Sequence, residues 1–217
     1  TPAYTKRISN TENSYSIFSL YVKLKPETFS YINHTCYYQH DYNQVWNLGQ
    51  YHREDWPYGM MYMTPPIEQQ NEWATHLIIN CVMPFSAVEQ WQDTQTGRRG
   101  EAYAQWKAWH EQRIIDRMEE VRPGFTQCID HVWSASPLTV RDYYHAPQGA
   151  IYGFVKDCHN PLATQIPVAT KVSNLFLTGQ CVGLHGICGV PLSAITTAEA
   201  LVGKNKIIEQ LQNTAPK

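Results

Sequence analysis

The sequence predicts an α+β fold: an antiparallel sheet covered by one long helix, followed by a strand, a glycine loop and a helix of parallel-sheet type. Three observations predict it. Within residues 15–82, several short segments alternate apolar with polar or interfacial side chains. Residues 101–121 carry apolar side chains at helical spacing. Leu175, Phe176 and Leu177 form an apolar run with no polar alternation, and glycines follow at 179, 183, 186 and 189.

In chain order, residues 15–24 alternate and are rich in β-branched and aromatic side chains, which suits a strand with one covered face ended by Pro26. Residues 34–38 and 59–64 are further short strands, the second stopped by Pro65-Pro66, and 76–82 is another. Ser86 with Glu89 three residues later has capping-box spacing and predicts a short helix to Gln92. From 101 to 121, Tyr103, Trp106, His110, Ile114, Met118 and Val121 share one helical face, and Pro123-Gly124 closes the helix. Strands are expected over 128–134 and 150–155, the latter after a turn at Pro147-Gln148-Gly149. A strand over 175–178 leads to a helix that starts at Pro191 and runs to Val202, and a short helix over 205–211 ends the chain.

The glycine loop has a physical use. The first amides of a helix lack intrahelical partners and point, with the positive end of the helix dipole, at whatever lies before them. Glycines remove the Cβ atoms that would hold a flat or phosphorylated ligand away from the backbone. A tight strand-to-helix turn without a ligand is the equal alternative from spacing alone. The Gly-x-Gly-x-x-Gly dinucleotide fingerprint is absent here.

With 43% hydrophobic residues in 217, a packed globule is expected over disorder, and a net charge of −2 gives no reason to expect nucleic acid as partner. No apolar run approaches the roughly 20 residues of a membrane span, which leaves only peripheral membrane contact open. Six dispersed cysteines without a Cys-x-x-Cys pair predict reduced, mostly buried thiols and a cytoplasmic setting. The single parallel-type strand at 175–178 needs edge partners that the sequence does not supply, so the chain reads as part of a longer protein.

Other motifs point less far. Cys181-x3-His185-x2-Cys188 offers three metal-type ligands without a fourth, so no metal is assigned. His110-Glu111 begins a His-Glu-x-x-His pattern, but position 114 is Ile, and His110 is read as an interfacial side chain of the helix. Met60, Met61 and Met63 near Tyr58 and Tyr62 suit either a greasy pocket for an apolar substrate or ordinary sheet core. No residue stands out as an obligatory acid or base.

Four blocks in order, Ser136-Pro137-Leu138-Thr139-Val140-Arg141-Asp142-Tyr143, Pro147-Gln148-Gly149-Ala150-Ile151-Tyr152-Gly153, Asn174-Leu175-Phe176-Leu177-Thr178-Gly179-Gln180 and Gly186-Ile187-Cys188-Gly189-Val190, resemble the C-terminal end of the phytoene desaturase, carotenoid isomerase and retinol saturase flavoproteins. The resemblance covers residues 130–205 well. It implies an FAD-dependent oxidoreductase acting on carbon–carbon bonds of an apolar, polyene substrate, with residues 1–155 as a substrate-side domain. Residues 156–217 would be the C-terminal element of a Rossmann-like FAD domain. Gly179, Gln180, Gly186, Ile187, Gly189, Val190 and Pro191 would then hold the cofactor, Gln180 near the ribityl chain and the amides of Gly189 and Val190 at the ring. Many related flavoproteins carry Asp where this chain has Gln180, and an amide can still hydrogen-bond a hydroxyl. Tyr143 and Tyr152 are the candidates to face flavin and substrate, or else they only fix their loops. The isolated chain is expected to lack turnover. Two other readings stay open: a non-enzymatic module that keeps the fold without cofactor, and a flavin amine oxidase.

Overall fold

Alternation along strand β1, Ser16–Leu24, sends Phe18, Leu20, Val22 and Leu24 to one face, and all four are buried. The computed structural model describes residues 2–46, 50–66 and 72–214. Strands β2 (Cys36–Gln39), β3 (Gly59–Met63) and β4 (His76–Met83) follow as expected, within one or two residues of their predicted ends. A single-turn helix, Phe125–Cys128, leads into β5, Ile129–Ala135. The five strands form one sheet in the order β2-β3-β4-β1-β5, with every neighbouring pair antiparallel. Register is set by pairs such as Phe18↔Cys81, Tyr21↔Trp133 and Met61↔Asn80.

Helix α1, Glu101–Val121, lies on the face that carries Phe18, whose ring meets Trp106 and His110 at 6.0 and 5.7 Å. Tyr103, Trp106, His110, Ile114, Ile115 and Met118 are its buried positions, the face read from the sequence plus Ile115. Leu77, Ile79, Cys81 and Met83 of β4 and Met60 and Tyr62 of β3 complete this core. Each fully buried aliphatic side chain of this kind contributes about 1.5–3 kcal/mol.

Helix α2, Pro137–Tyr144, was not expected. Its start has a clear cause: the Ser136 hydroxyl accepts from the Leu138 amide at 3.2 Å, and the Ser136 amide donates to Thr139 Oγ1 at 3.2 Å, with Pro137 in the first turn. The 3-10 turn Pro147–Gly149 follows, and a Cβ on Gly149 would lie 2.4 Å from the Pro137 carbonyl oxygen.

Several expectations are corrected. The helix expected from Ser86 is two 3-10 turns, Phe85–Ala87 and Glu89–Trp91, with no side-chain cap on either. The strand expected over 150–155 is only a bridge between Phe154 and Asn13. The run at 175–178 is not a buried parallel strand: Phe176 makes an isolated antiparallel bridge with Ala169, and Leu175 is exposed. Among the described residues its backbone partners are Val168, Thr170 and Val172, too few to extend a ladder. All six cysteines are free, yet Cys158 and Cys188 are exposed, so the thiols are not mostly buried.

The chain divides into two compact units, Tyr15–Ile151 and a second that joins Thr1–Ser14 with Tyr152–Lys217. The second holds a helix at Pro2–Ser9, a single-turn helix at Pro161–Thr164, α3 at Gly186–Val202 and α4 at Lys206–Thr214. Helix α3 begins five residues before Pro191, where the sequence placed its start, so the proline lies in the second turn. Arg7 donates to the carbonyls of Leu162 and Gln165 at 2.9 and 2.6 Å, which anchors the N-terminal helix within this unit. Among the described residues no helix is long and apolar enough to cross a membrane.

Candidate functional site

Gly179 takes φ +95° and turns the chain so that Val182 and Gly183 donate back to its carbonyl at 3.1 and 3.2 Å. Its own amide donates to Ser193 Oγ at 3.0 Å, and the Ser193 hydroxyl donates to the Val190 carbonyl at 2.8 Å. One buried serine, 4% exposed, thus ties the glycine loop to the second turn of α3. Thr197 Oγ1 adds a second tie, 3.1 Å from the Leu177 carbonyl. Gly189 is demanded by packing, because a Cβ there would lie 2.4–2.5 Å from Leu184.

The helix start is open. His185 precedes α3 and makes no side-chain cap bond, so the first-turn amides at Gly186, Ile187 and Cys188 have no intrahelical partner and no cap. Cβ atoms built on Gly179 and Gly186 would meet nothing within 4 Å, and Ile187 is 93% exposed. The sequence reading put the donor amides at Gly189 and Val190. With the helix beginning at Gly186, those two amides lie inside the helical ladder and the free donors lie about three residues earlier. A glycine-lined opening with aligned N–H donors fits the acceptor edge of a flat, electron-rich group.

Around this opening, Lys156 Nζ donates to the Gln180 carbonyl at 3.0 Å and the Phe154 carbonyl at 2.9 Å. Partial burial lowers the Lys156 ammonium below its ordinary range, with Cys181 opposing. Tyr152 stacks on His185 with ring centroids 4.1 Å apart, and its amide donates to Ser14 Oγ at 3.1 Å. Tyr143 belongs to the other unit, on α2, and is 70% exposed. Pro191 has no amide hydrogen, so the Ile187 carbonyl has no helical donor. Among the described residues, no group of three His, Cys, Asp or Glu side chains could hold a metal ion.

The sheet offers a second surface. Strand alternation divides the methionine cluster, with Met60 and Tyr62 in the core and Met61 and Met63 on the opposite face. Ile78 and Val82 of β4 and Tyr21 of β1 share that face by register, as does Trp133 of β5. Amid these apolar groups, Ser19 Oγ donates to Asn80 Oδ1 at 2.6 Å, which leaves the Asn80 amide hydrogens as donors.

The sequence reading missed the environment of His110. It is 0% exposed and so fully buried, not interfacial, because Phe18, Trp56, Trp106 and Trp109 enclose it. Its Nδ1 lies 2.7 Å from the Trp106 carbonyl, which can only accept, so Nδ1 carries the proton. Nε2 then accepts from the Tyr51 hydroxyl at 2.6 Å. Burial pushes the imidazole down to about 4, the Trp106 hydrogen bond opposes this, and the Arg53 charge adds to the depression. The signal available in the sequence was His110 at the centre of a helical face of aromatics.

No family model matches the chain. It is similar to all-trans-retinol 13,14-reductase of Danio rerio, 30% identical over 124 residues, which are 56% of this chain and 20% of that protein. The human protein of the same name is 28% identical over 120 residues, 54% of this chain and 20% of that protein. The 4,4'-diapolycopene oxygenase of a Methylomonas species is 31% identical over 105 residues, 46% of this chain and 20% of that protein. The chain therefore spans about a fifth of the length of these relatives. The resemblance to retinol saturase and carotenoid desaturase proteins read from the sequence is borne out by them.

Proposed function

We propose that this chain is the carboxy-terminal portion of an FAD-dependent oxidoreductase that desaturates, saturates or isomerises carbon–carbon bonds of an apolar, polyene substrate. The observation that carries the reading is the uncapped, glycine-opened start of α3, in a chain similar to a retinol reductase and a diapolycopene oxygenase. Residues 156–217 would contribute the last element of the FAD domain, and residues 1–155 the substrate side.

In this reading FAD supplies the two-electron chemistry, and the protein orients, binds and excludes water. The amides of Gly186 and Ile187 would hold the acceptor edge of the ring, with the dipole of a 17-residue helix directed at it. The Gln180 side chain would hold the ribityl chain through a hydroxyl, while Lys156 keeps the Gln180 backbone in place. Gly189, Val190 and Pro191 act behind this edge: Gly189 lets Leu184 pack close, and the Val190 carbonyl anchors Ser193. The open sheet face with Met61, Met63, Ile78 and Tyr21 suits a rigid apolar chain, since thioether and aromatic side chains adapt to its shape. Tyr152, packed on His185, and Tyr143 are the aromatic candidates to face flavin and substrate.

The test is anaerobic turnover by the full-length protein that contains this segment, supplied with retinoid and carotenoid polyenes and a one- or two-electron redox partner. A shift of the polyene absorption band, with loss or gain of one conjugated double bond, is expected. A full-length protein that binds FAD and yet leaves every polyene unchanged contradicts the substrate reading. One that binds neither sinks the oxidoreductase reading altogether and favours the module without cofactor.

A further inference from the structure

Six aromatic or imidazole rings are in contact along the inner face of α1. Trp91 meets Trp106 at 5.4 Å between centroids, Trp106 meets His110 at 4.1 Å, and His110 meets Trp109 at 4.8 Å and Trp56 at 4.9 Å. Tyr51 stacks on His110 at 6.0 Å with only 22° between the planes. Trp106 and His110 are buried, whereas Trp91 and Trp109 are half-buried and so reach solvent. Indole and phenol are the most readily oxidised side chains of this set, and contacts this short permit rapid electron exchange.

What distinguishes Tyr51 is the partner of its hydroxyl. A phenol loses an electron easily only if its proton leaves with it, because the phenol radical cation is a very strong acid. Tyr51 has a neutral imidazole nitrogen 2.6 Å away, held as an acceptor by the proton on Nδ1. The Tyr103 hydroxyl instead meets the Ser136 hydroxyl at 2.6 Å, and Tyr62 accepts from the Arg122 guanidinium at 3.3 Å. Neither partner can take a proton. The Trp56 indole donates to the Val82 carbonyl at 2.9 Å, which is no better as a base.

We infer that Tyr51 and His110 form a proton-coupled one-electron redox site that collects oxidising equivalents from the surrounding indoles. The oxidant class is a strong one-electron acceptor, such as a hydroxyl- or peroxyl-type radical, that reaches Trp91 or Trp109. It takes one electron from the indole and is reduced by one electron. The indole radical cation is refilled by Tyr51, whose O–H proton crosses to His110 Nε2. The products are a neutral Tyr51 phenoxyl radical and the His110 imidazolium, so charge and atoms balance. A thiolate-class reductant returns one electron to the phenoxyl, the proton moves back from Nε2, and the reductant leaves as a thiyl radical. The site is independent of the flavin reading, because every residue in it lies within Tyr15–Ile151.

The test is flash oxidation of the full 217-residue chain with a ruthenium polypyridyl photosensitiser and a sacrificial electron acceptor, read by transient absorption and electron paramagnetic resonance. A phenoxyl signal is expected whose yield falls several-fold in Tyr51→Phe, although 13 of the 14 tyrosines remain. Its formation is expected to slow in D2O. His110→Gln keeps the phenol and removes the base, and there the signal should shift from phenoxyl to indole radical. Unchanged phenoxyl yield and line shape in Tyr51→Phe, with circular dichroism reporting an intact fold, would overturn the inference. Equal rates in H2O and D2O would overturn its proton coupling, whether or not His110→Gln folds.

Discussion

The Ser193 hydroxyl accepts the Gly179 amide at 3.0 Å and so couples the glycine loop to α3 across 14 residues of sequence. Removal of that oxygen leaves a loop amide without its partner. Ser193→Ala is expected to cost about 1 kcal/mol locally, which speeds hydrogen exchange of the Gly179 amide by about fivefold. Nuclear magnetic resonance of the labelled chain reads this directly, and unchanged exchange would mean that the tie is not what orders the loop.

A second expectation concerns the space between Gly189 and Leu184. A Cβ at 189 would lie 2.4 Å from Leu184 backbone, which cannot move as a side-chain tip can. Gly189→Ala should therefore destabilise the second unit by about 1–3 kcal/mol, despite the better helix propensity of alanine. Gly186→Ala meets no neighbour but takes a residue at φ +78°, so its cost is backbone strain of about 1–2 kcal/mol. Urea unfolding of the two variants, followed in the α3 region, separates packing from strain.

The Arg99 guanidinium, whose side chain is only 5% exposed, pairs with Asp142 and also donates to the Thr94 carbonyl at 2.9 Å. Arg141 Nε reaches the other Asp142 oxygen at 2.8 Å. Burial alone would raise the Asp142 carboxyl, but hydrogen bonds from Thr96, Arg141 and Arg99 overcome it and hold the group below its ordinary range. Asp142→Ala strands a buried cation and is expected to cost about 3 kcal/mol in urea unfolding. A loss below 1 kcal/mol, by the same scale, would class this as an ordinary surface pair.

Stability should also fall with pH in a window that belongs to His110. Its imidazole titrates at about 4 in the fold against the ordinary 6.5, so the unfolded chain binds the proton first. Stability is full above about 6.5 and declines as pH falls toward 4, by about 3 kcal/mol in total. The Asp142 contribution, held by a depressed carboxyl, is lost only at lower pH. His110→Gln should flatten the upper window, and chemical unfolding across pH 4–7 measures it. An equally steep decline in that variant would assign the effect elsewhere.

The sheet and its covering helix were legible because period-2 and period-3.6 patterns are local, and β1, β3, β4 and α1 appear within a residue or two of their expected bounds. Helix α2 was hidden in a stretch read only for its family likeness, although Ser136, Pro137 and Thr139 carry its start signal. The 175–178 run failed as a strand for a tertiary reason: apolar side chains predict burial, but a ladder needs an edge, and among the described residues the run bonds only within the short 168–172 segment just before it. His110 failed differently. Its spacing along α1 already set it on the covered face, but its partners Tyr51 and Trp56 lie far away in sequence and no local pattern could name them. The early start of α3 matters most for the site, since it moves the free amides from Gly189 and Val190 to Gly186–Cys188.

The glycine loop and the start of α3 are taken to be one side of a flavin cradle, and the amount of FAD released on denaturing the purified full-length protein tests this most directly. About one FAD per chain is expected, falling several-fold in Gly186→Val, whose side chain covers the open helix start. A full-length protein that carries equal FAD with and without that substitution, or that stays colourless after incubation with FAD, would contradict it.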